Sequence, residues 1–361
     1  LGDVYKRQVD ELSGGQRTKV LLTKLLLQNP TILILDEPTN YLDVNHIEWL
    51  KRYLQNYDNA FILVSHDIPF LNDVCNLIYH VEDCELTRYV GNYDEFLRLY
   101  ELKKRQQEKA YERQQKEIDK LEDFIARNKA RVATTGMAKS RMKQLDKMEM
   151  IEKPKEKIKP TFNFKFSKAP SRFLIEARDL VIGYDEPLTK PLNFNIERGK
   201  KIAICGVNGL GKSTLLKTLL GILKPISGEV EFGENVEYGY FAQEDSRDNN
   251  NTALDELWNE YPSLTNHEAR SELAKCGLTT DHITSPMKVL SGGENAKVRL
   301  CKILLQELNL LVLDEPTNHL DVDAKDELEK ALKEFKGTVV LVCHEPVSYT
   351  HLRAHETAAN L

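Results

Sequence analysis

The sequence predicts an α/β protein in which two related domains, each built around a parallel sheet, are joined by a long helical hairpin. Three observations lead to this prediction. Ser13 and Ser291 lie 278 positions apart in matching motifs, and other motif residues repeat at the same offset. A glycine-rich stretch at 206–214 lies between a strand-like and a helix-like segment. The stretch 94–131, nearly free of glycine and proline, separates the two copies.

Composition limits the class of protein to which the chain can belong. Its 361 residues are 41% hydrophobic and 29% charged, with a net charge of −6, as in soluble proteins of about two domains. No run of about 18 apolar residues occurs, so we predict a cytoplasmic protein without a membrane span. The six cysteines form no C-x-x-C pair, which predicts reduced, mostly buried thiols rather than a zinc site or disulfide framework. They are Cys75, Cys84, Cys205, Cys276, Cys301 and Cys343.

The stretch GVNGLGKST predicts a phosphate-binding loop (P-loop). It follows the strand-like KIAIC and precedes the helix-like STLLKTLLGIL, which is the context that a G-x-x-x-x-G-K-[ST] loop needs. Its glycines let backbone N–H groups surround phosphates at the positive end of a helix. We expect Lys212 to reach the β and γ phosphates of ATP and Ser213 to ligate Mg²⁺. The predicted phosphate-binding residues are Gly206, Asn208, Gly209, Gly211, Lys212, Ser213 and Thr214.

Further residues of the predicted nucleotide site lie before and after this loop. Asp314 ends the apolar run LVLD and is predicted to hold Mg²⁺, while Glu315 is predicted to orient and deprotonate the attacking water. His344 is predicted to hydrogen-bond the γ phosphate, and Gln243 to contact Mg²⁺ and the water. Tyr184 either stacks on adenine or is an ordinary core tyrosine. The first copy has the counterparts Asp36, Glu37 and His66.

Only one P-loop is present although the domain is duplicated. The offset aligns ILILDEPTNYLD at 32–43 with LLVLDEPTNHLD at 310–321, and it places the counterpart of Lys212 at −66. We therefore expect a fragment whose first P-loop lies upstream, and which binds one ATP weakly and hydrolyses it poorly. Residues 1–8 and those from about 347 break the repeat, which indicates either non-native sequence or divergent termini.

The repeated motifs resemble those of the ATP-binding cassette (ABC) ATPases. LSGGQ at 12–16 and LSGGE at 290–294 are similar to the signature motif of that family. EPTNYLD and EPTNHLD are similar to the ABC-F subfamily, whose members carry two cassettes on one chain, a helical linker and no membrane domain. Glu294 in place of the usual Gln, and CHE in place of SHD, are mild departures.

This resemblance implies two composite nucleotide sites, because the P-loop of one cassette faces the signature of the other within the chain. Each signature opens a helix whose positive N-terminus can bind the γ phosphate. The complete site would contain Lys212, Ser213, Asp314, Glu315 and His344 with Ser13, Gly14, Gly15 and Gln16. The site that lacks a P-loop would contain Asp36, Glu37 and His66 with Ser291, Gly292 and Gly293.

The segment between the copies predicts a helical hairpin and sets the domain boundaries. A first helix over 94 to about 131 would be on the order of 50 Å long, and a second would cover 139–151. The predicted inward-facing residues are Ile118, Leu121 and Ile125 on the first helix, and Met142, Leu145 and Met148 on the second. The predicted regions are 1–98, the C-terminal part of a first cassette; 99–159, the linker; and 160–361, a second cassette that is truncated or non-native from about 347.

The tip of this hairpin is basic. Residues 124–145 contain six basic residues and no acidic residue in a chain that is net acidic. The pattern indicates either contacts with RNA phosphates or a solvated helix face. The resemblance to ABC-F proteins implies the first, with the linker near peptidyl-tRNA and the protein bound at the exit site of the ribosome. The six residues are Arg127, Lys129, Arg131, Lys139, Arg141 and Lys143.

Three other interpretations remain at the level of sequence. An ATPase subunit of an ABC transporter should lack the basic hairpin and needs a membrane partner. A cassette ATPase of DNA repair should carry longer coiled coils or zinc modules. A non-catalytic structural paralogue is disfavoured because the carboxylates and histidines occur in both copies. Whether the protein acts in general translation or in antibiotic resistance is left open.

Overall fold

The computed structural model describes residues 14–40, 42, 44–128, 135–153, 159–206, 209–242, 249–317 and 320–343. The side chains of residues 14–18 and 135 lie outside this description. The chain divides into two compact units, of which the second is Asp67–Lys157 and the first contains the residues on either side of it. None of the helices within the described ranges is both long enough and apolar enough to cross a membrane.

The first unit contains the complete sheet of the second copy. Its four parallel strands lie in the order β10-β12-β13-β8, and a separate antiparallel sheet has the order β7-β6-β9. The strands are β5 (Lys165–Phe166), β6 (Phe173–Val181), β7 (Leu192–Glu197), β8 (Lys201–Cys205), β9 (Ser227–Phe232), β10 (Tyr238–Phe241), β11 (Glu307–Leu308), β12 (Leu310–Asp314) and β13 (Thr338–Cys343). The helices are α6 (Lys212–Leu219), α7 (Ala253–Glu260), α8 (Asn266–Lys275), α9 (Thr280–Thr284), α10 (Gly292–Leu305) and α11 (Val322–Glu334).

Apolar clusters cover both faces of the parallel sheet. Leu311 and Leu313 of β12 belong to a cluster that includes residues of α7 to α11. Leu310 and Val312 belong to a second cluster, formed with β6 and α6. Because successive side chains of a strand point to opposite faces, a strand buried on both faces has to be apolar throughout, as LLVL is. The polar residues that end these strands are thereby fixed at one edge of the sheet.

The first copy contributes a two-stranded parallel sheet with one open face. Its elements are α1 (Gly14–Leu27), β1 (Ile32–Asp36), α2 (Val44–Gln55) and β2 (Ala60–Val64). Leu33 and Leu35 are buried, but Ile32 and Ile34 are 60% and 66% exposed. Their counterparts at the 278-residue offset, Leu310 and Val312, are fully buried by β6 and α6. No element within the described ranges covers this face of the first copy.

The second unit is a β-hairpin followed by two long helical segments. Its elements are α3 (Ile68–Val74), β3 (Leu77–Glu82), β4 (Glu85–Val90), α4 (Tyr93–Asn128) and α5 (Thr135–Asp146). The 36 residues of α4 span about 54 Å, as the sequence predicted. Ile118 and Leu121 are buried and Ile125 is half-buried, so the predicted inner stripe is confirmed.

The second helix of the hairpin was predicted wrongly in its bounds and in one of its three inward-facing residues, since Met142 is exposed whereas Leu145 and Met148 are half-buried. It begins at Thr135 and ends at Asp146, so residues 147–151 are not helical. Gln114 explains this, because its side-chain amide donates to the carbonyl of Glu149 at 2.6 Å and accepts from the N–H of Ile151 at 2.7 Å. These bonds hold the returning chain along α4 in a non-helical conformation. Ala138, rather than the exposed Met142, is the buried residue of α5.

Candidate nucleotide site

The P-loop connects β8 to α6. Gly209 and Gly211 have φ angles of 87° and 86°, in the left-handed region that favours glycine. A Cβ at Gly211 would also lie 3.2 Å from a methyl group of Leu188. Gly211 is the N-cap of α6, so the loop delivers Lys212, Ser213 and Thr214 at the positive end of this helix. Asn208 lies outside the described residues.

Lys212 is held inside the site. Its side chain is only 5% exposed, and its ammonium donates a hydrogen bond of 2.7 Å to the carbonyl of Gly206 at the start of the loop. Burial lowers the pKa of Lys212, and the carboxylates of Glu315 and Asp314 oppose this effect. A buried cation that is only partly compensated favours an anionic ligand.

The environment of Asp314 fits a bound cation. It is fully buried, and neither carboxylate oxygen makes a hydrogen bond of ordinary geometry with a described group. Burial raises the pKa of Asp314, and the nearby Ser213 hydroxyl and Lys217 ammonium offset this only in part. Mg²⁺ takes oxygen ligands from carboxylates and hydroxyls. Asp314 and Ser213 therefore fit the magnesium-binding role that the sequence predicted for them.

The two glutamates predicted to be catalytic share an uncommon backbone conformation. Glu37 and Glu315 have φ angles of 46° and 50°, which is rare for non-glycine residues. In each copy the N–H of the glutamate donates to a carbonyl near the end of the next strand, Val64 at 2.8 Å and Val342 at 3.1 Å. Such strained residues concentrate at functional sites, where the surrounding structure holds them.

In the first copy, Glu37 lies against His66. The Nε2 atom of His66 is 3.5 Å from one carboxylate oxygen, and its backbone N–H donates to the other at 3.3 Å. Burial raises the pKa of Glu37, and the adjacent His66 opposes this. Asp36 is exposed, in contrast to the fully buried Asp314, because the sheet of the first copy has one open face.

The pair Glu37 and His66 also lies within electrostatic range of the second copy. Burial raises the pKa of Glu37 overall, and Lys325 of α11 opposes this rise, as His66 does. His66 in turn contributes to lowering the pKa of Asp321, the N-cap of α11. Residues of the two copies therefore lie within electrostatic range of each other near the N-terminus of α11, within the first unit.

Both signatures open a helix, as predicted. α1 begins at Gly14 and α10 begins at Gly292. Ser291 is the N-cap of α10: its hydroxyl accepts from the N–H of Glu294 at 3.3 Å, and the Glu294 carboxylate accepts from the N–H of Ser291 at 2.8 Å. The glutamate that replaces the usual glutamine thus completes a capping box. Gly293 forms the first turn with Gly292, while Ser13 and the side chain of Gln16 lie outside the description.

Other residues of the predicted nucleotide site are not brought together with Lys212 and Asp314 by the structure. Gln243 and His344 lie outside the described residues. Tyr184 is 64% exposed, which excludes the core interpretation and leaves its ring accessible. Of the cysteines, Cys276, Cys301 and Cys343 are buried, whereas Cys84 and Cys205 are exposed, so the prediction of mostly buried thiols holds for only half of the six.

The sequence analysis missed Arg299 of α10. Its guanidinium donates to the carbonyl of Ala242 at 2.7 Å and lies over the ring of Phe241 at 4.4 Å. It therefore connects the signature helix to the strand end immediately before Gln243. The residue lies on the helix that follows the signature, but nothing in its spacing distinguishes it from the other basic residues of α10, Lys297 and Lys302.

Asp321 provides a test of how α11 is fixed. Its carboxylate caps α11 at the N–H of Ala324 and receives the Lys297 ammonium of α10 at 2.5 Å. Burial would raise the pKa of Asp321, but these hydrogen bonds lower it overall. The contribution to stability is therefore complete above the pKa of the unfolded carboxyl, about 3.9, and is lost as pH falls through the lower folded value.

We expect Asp321→Ala to lower the free energy of unfolding by about 1–2 kcal/mol at neutral pH, because it removes a helix cap and an ion pair. Asp323→Ala, two residues later in the first turn of the same helix, is the matched control and should change the free energy of unfolding much less. Urea denaturation of both variants at pH 7 and pH 3 measures this. Equal losses at the two pH values would contradict the role given to the ionised carboxylate.

Comparisons with known proteins agree with this geometry. A family model described as ABC transporter matches residues 1–40 and 189–318, and a second model of the same description matches residues 79–164. The uncharacterized ABC transporter ATP-binding protein YfmM of Bacillus subtilis is 64% identical over 350 residues, which cover 97% of this chain and 68% of that protein. ABC transporter F family member 5 of Arabidopsis thaliana is 39% identical over 348 residues, covering 94% of this chain and 50% of that protein.

Solved structures support the fold. The complex of archaeal ribosomal stalk protein aP1 with the archaeal ribosome recycling factor aABCE1 matches with a TM-score of 0.58 and 24% identity, covering 96% of this chain and 61% of that chain. At this identity the likeness concerns the fold alone. The chain spans about half to two thirds of the length of these relatives. The identity to the Bacillus protein, the similarity to F family relatives and the duplicated cassette motifs lead to one conclusion. The chain belongs to the ABC-F family of ABC cassette ATPases.

Proposed function

We propose that the protein hydrolyses ATP at Lys212, Ser213, Asp314 and Glu315 and uses the cycle to bind and leave the ribosome. The observation that supports the first part is the strained glutamate, which recurs in both copies and, in the second copy, follows the fully buried Asp314 carboxylate beside Ser213. ATP hydrolysis is the activity expected of the cassette family to which the chain belongs.

Each residue of the site has a separate task in this proposal. The Lys212 ammonium binds the β and γ phosphates in place of its hydrogen bond to the Gly206 carbonyl. Ser213 and Asp314 hold Mg²⁺, which supplies charge neutralisation to the phosphates when it is bound. Glu315 accepts the proton of the attacking water. Tyr184 stacks on adenine, and His344 and Gln243 contact the γ phosphate and the water.

We further propose that the two copies pair within one chain. Ser13, Gly14, Gly15 and Gln16 would complete the site of the second cassette, and Ser291, Gly292 and Gly293 would face Asp36, Glu37 and His66. The electrostatic influence of Asp321 and Lys325 on the pair His66 and Glu37 supports this arrangement. The regions proposed are a first-cassette part at 1–98, a linker at 99–159 and a second cassette at 160–361.

The hairpin is the proposed contact with the ribosome, in its exit site near peptidyl-tRNA. Arg127, Lys139, Arg141 and Lys143 are all exposed, and Lys129 and Arg131 lie outside the described residues. Arg127 forms an ion pair with Asp123 at 3.2 Å, so part of its charge is already balanced. Among proteins of similar fold are an archaeal ribosome recycling factor and a ribosome-bound archaeal ABCE1; these roles belong to those proteins and favour a ribosomal role in this proposal. A cytoplasmic location follows from this role.

Replacing Arg127, Arg131, Arg141 and Lys143 by Gln should weaken ribosome binding and flatten its dependence on salt. Each phosphate contact that is lost reduces the slope of log K against log salt by about one, so the slope should fall by up to about four. ATP affinity should not change. Binding is measured by ribosome co-sedimentation at several salt concentrations.

The matched control removes four exposed basic residues from the body of α4, away from the tip: Lys103, Lys109, Arg113 and Lys116. It changes the net charge by the same amount. If both variants flatten the slope equally, the effect belongs to overall charge and the tip has no special role. If neither does, the tip is a solvated helix face.

A further inference from the structure

Two cysteines meet at the edge of the sheet where the nucleotide site lies. Cys205 is the last residue of β8 and Cys343 is the last residue of β13, and the two strands are paired so that these residues are direct partners. Their Sγ atoms are 3.7 Å apart. Cys205 immediately precedes Gly206 of the P-loop, and Cys343 immediately precedes His344.

The geometry of paired strands permits a bond between these sulfur atoms. Neighbouring strands lie about 4.8 Å apart, which falls within the range of about 4.4–6.8 Å between Cα atoms that a disulfide spans. Side chains of direct partners project from the same face of a sheet, so both thiols point the same way. The sulfur atoms lie 3.7 Å apart and a disulfide is about 2.05 Å long, so rotation of the two side chains together with a small movement of the strand ends forms the bond.

The two thiols differ in their access to solvent. Cys205 is exposed, whereas Cys343 is 6% exposed and belongs to the apolar cluster on that face of the sheet. Burial and the neighbouring Cys205 raise the pKa of Cys343 to about 12, so Cys343 is a poor first target for an oxidant in solution and gives up its proton only in the attack on Cys205. A soluble oxidant therefore meets Cys205 first, and Cys343 is placed to react with the product.

We propose that Cys205 and Cys343 form a reversible oxidative modification site that closes the P-loop to nucleotide. A hydroperoxide oxidises the Cys205 thiol to a sulfenic acid and is reduced to water or the corresponding alcohol. The Cys343 sulfur then attacks the sulfenic sulfur, a second water leaves with the Cys343 proton, and a disulfide forms. Together the two thiols lose two electrons and two protons, which an external thiol restores by exchange.

The position of the bond explains its expected effect on ATP binding, a consequence that rests on the proposed function of the site. The carbonyl of Gly206, the next residue after Cys205, accepts the hydrogen bond from Lys212. Drawing the ends of β8 and β13 together shifts this carbonyl and the start of the loop. Displacements of about 1 Å in a positioned site can cost on the order of 100-fold, so we expect a loss of ATP affinity of roughly tenfold or more.

The modification itself is tested by treating the reduced protein with hydrogen peroxide and mapping its peptides by mass spectrometry. We expect a cross-link between the peptides that contain Cys205 and Cys343. Cys276 and Cys301 serve as an internal control, because both are buried and should remain unmodified. Cys84→Ser, which removes an exposed thiol in the second unit, should leave the cross-link unchanged, and Cys205→Ser should abolish it. A Cys205 that ends as sulfinic acid, or in a bond with another residue, overturns the proposal.

The effect on the site is tested by titrating a fluorescent ATP analogue into reduced, oxidised and dithiothreitol-treated protein. We expect weaker binding after oxidation, recovery with dithiothreitol, and no response to peroxide in Cys343→Ser. If the cross-link forms but affinity is unchanged, the disulfide does not close the P-loop and the proposal is wrong. If the reduced protein fails to bind the analogue, the proposed function fails instead, while the cross-link can still be observed.

Discussion

In the full-length protein, replacing both Glu315 and Glu37 by Gln is expected to abolish steady-state ATP hydrolysis while leaving ATP bound. A positioned general base contributes about 10²–10⁴-fold to such a step, and Gln keeps the size of the side chain but cannot accept the proton. The strained backbone at both positions is held by hydrogen bonds to Val342 and Val64, which the substitution does not touch. The fold should therefore be unchanged, and phosphate release measures the loss.

The control for this pair is Glu334→Gln, an exposed carboxylate at the end of α11. It should hydrolyse ATP at the rate of the parent protein. If the double variant keeps more than about a tenth of the parent rate, neither glutamate acts as the base in the sense used here. If it loses ATP binding as well, the glutamates contribute to holding the nucleotide.

Replacing Lys212 by Met is expected to cause a large loss of ATP affinity. We expect ATP affinity to fall by about 10–100-fold, because a charge-assisted hydrogen bond contributes about 1.5–3 kcal/mol. Thermal stability without ATP should not fall, since the substitution removes a buried charge whose pKa is already lowered by burial. Isothermal titration calorimetry with ATP and Mg²⁺ measures the change.

Lys201 provides a matched control for this variant. It lies at the start of β8, its ammonium donates to the carbonyls of Phe335 and Gly337, and burial lowers its pKa to about 8. Lys201→Met should cost stability and leave ATP affinity unchanged. Equal losses of affinity in the two variants would mean that the Lys212 result reflects general damage to the sheet.

The sequence predicted the elements and the site because the copies constrain each other. LVLDEP and ILILDEP place a carboxylate pair after an apolar strand in both copies, and the structure places both strands and both glutamates as expected. The exposure of Ile32 and Ile34 could not be predicted in this way. Their pattern is that of Leu310 and Val312, but burial depends on the elements packed against a strand, and these differ between the copies.

Interactions across the fold account for the remaining differences. The second helix of the hairpin ends at Asp146 because Gln114, on the other helix, binds the returning backbone. Helix propensity depends on the local sequence and cannot reveal that contact. Arg299 was missed because its partner carbonyl lies 57 positions earlier in the chain. The capping box of Ser291 and Glu294, in contrast, follows the local pattern S-x-x-E. Glu294, which stands in place of the usual Gln of the signature, therefore has a structural role at the start of α10.

We propose that ATP controls binding of the full-length protein to the ribosome, and sedimentation with purified ribosomes tests this proposal. The Glu37→Gln and Glu315→Gln double variant is incubated with purified ribosomes in ATP or in ADP and sedimented through a sucrose cushion. Because ATP favours the paired cassettes and hydrolysis removes that preference, the variant should pellet with ribosomes in ATP and remain in the supernatant in ADP. Equal recovery in the two nucleotides, or recovery with membranes instead of ribosomes, would contradict the account.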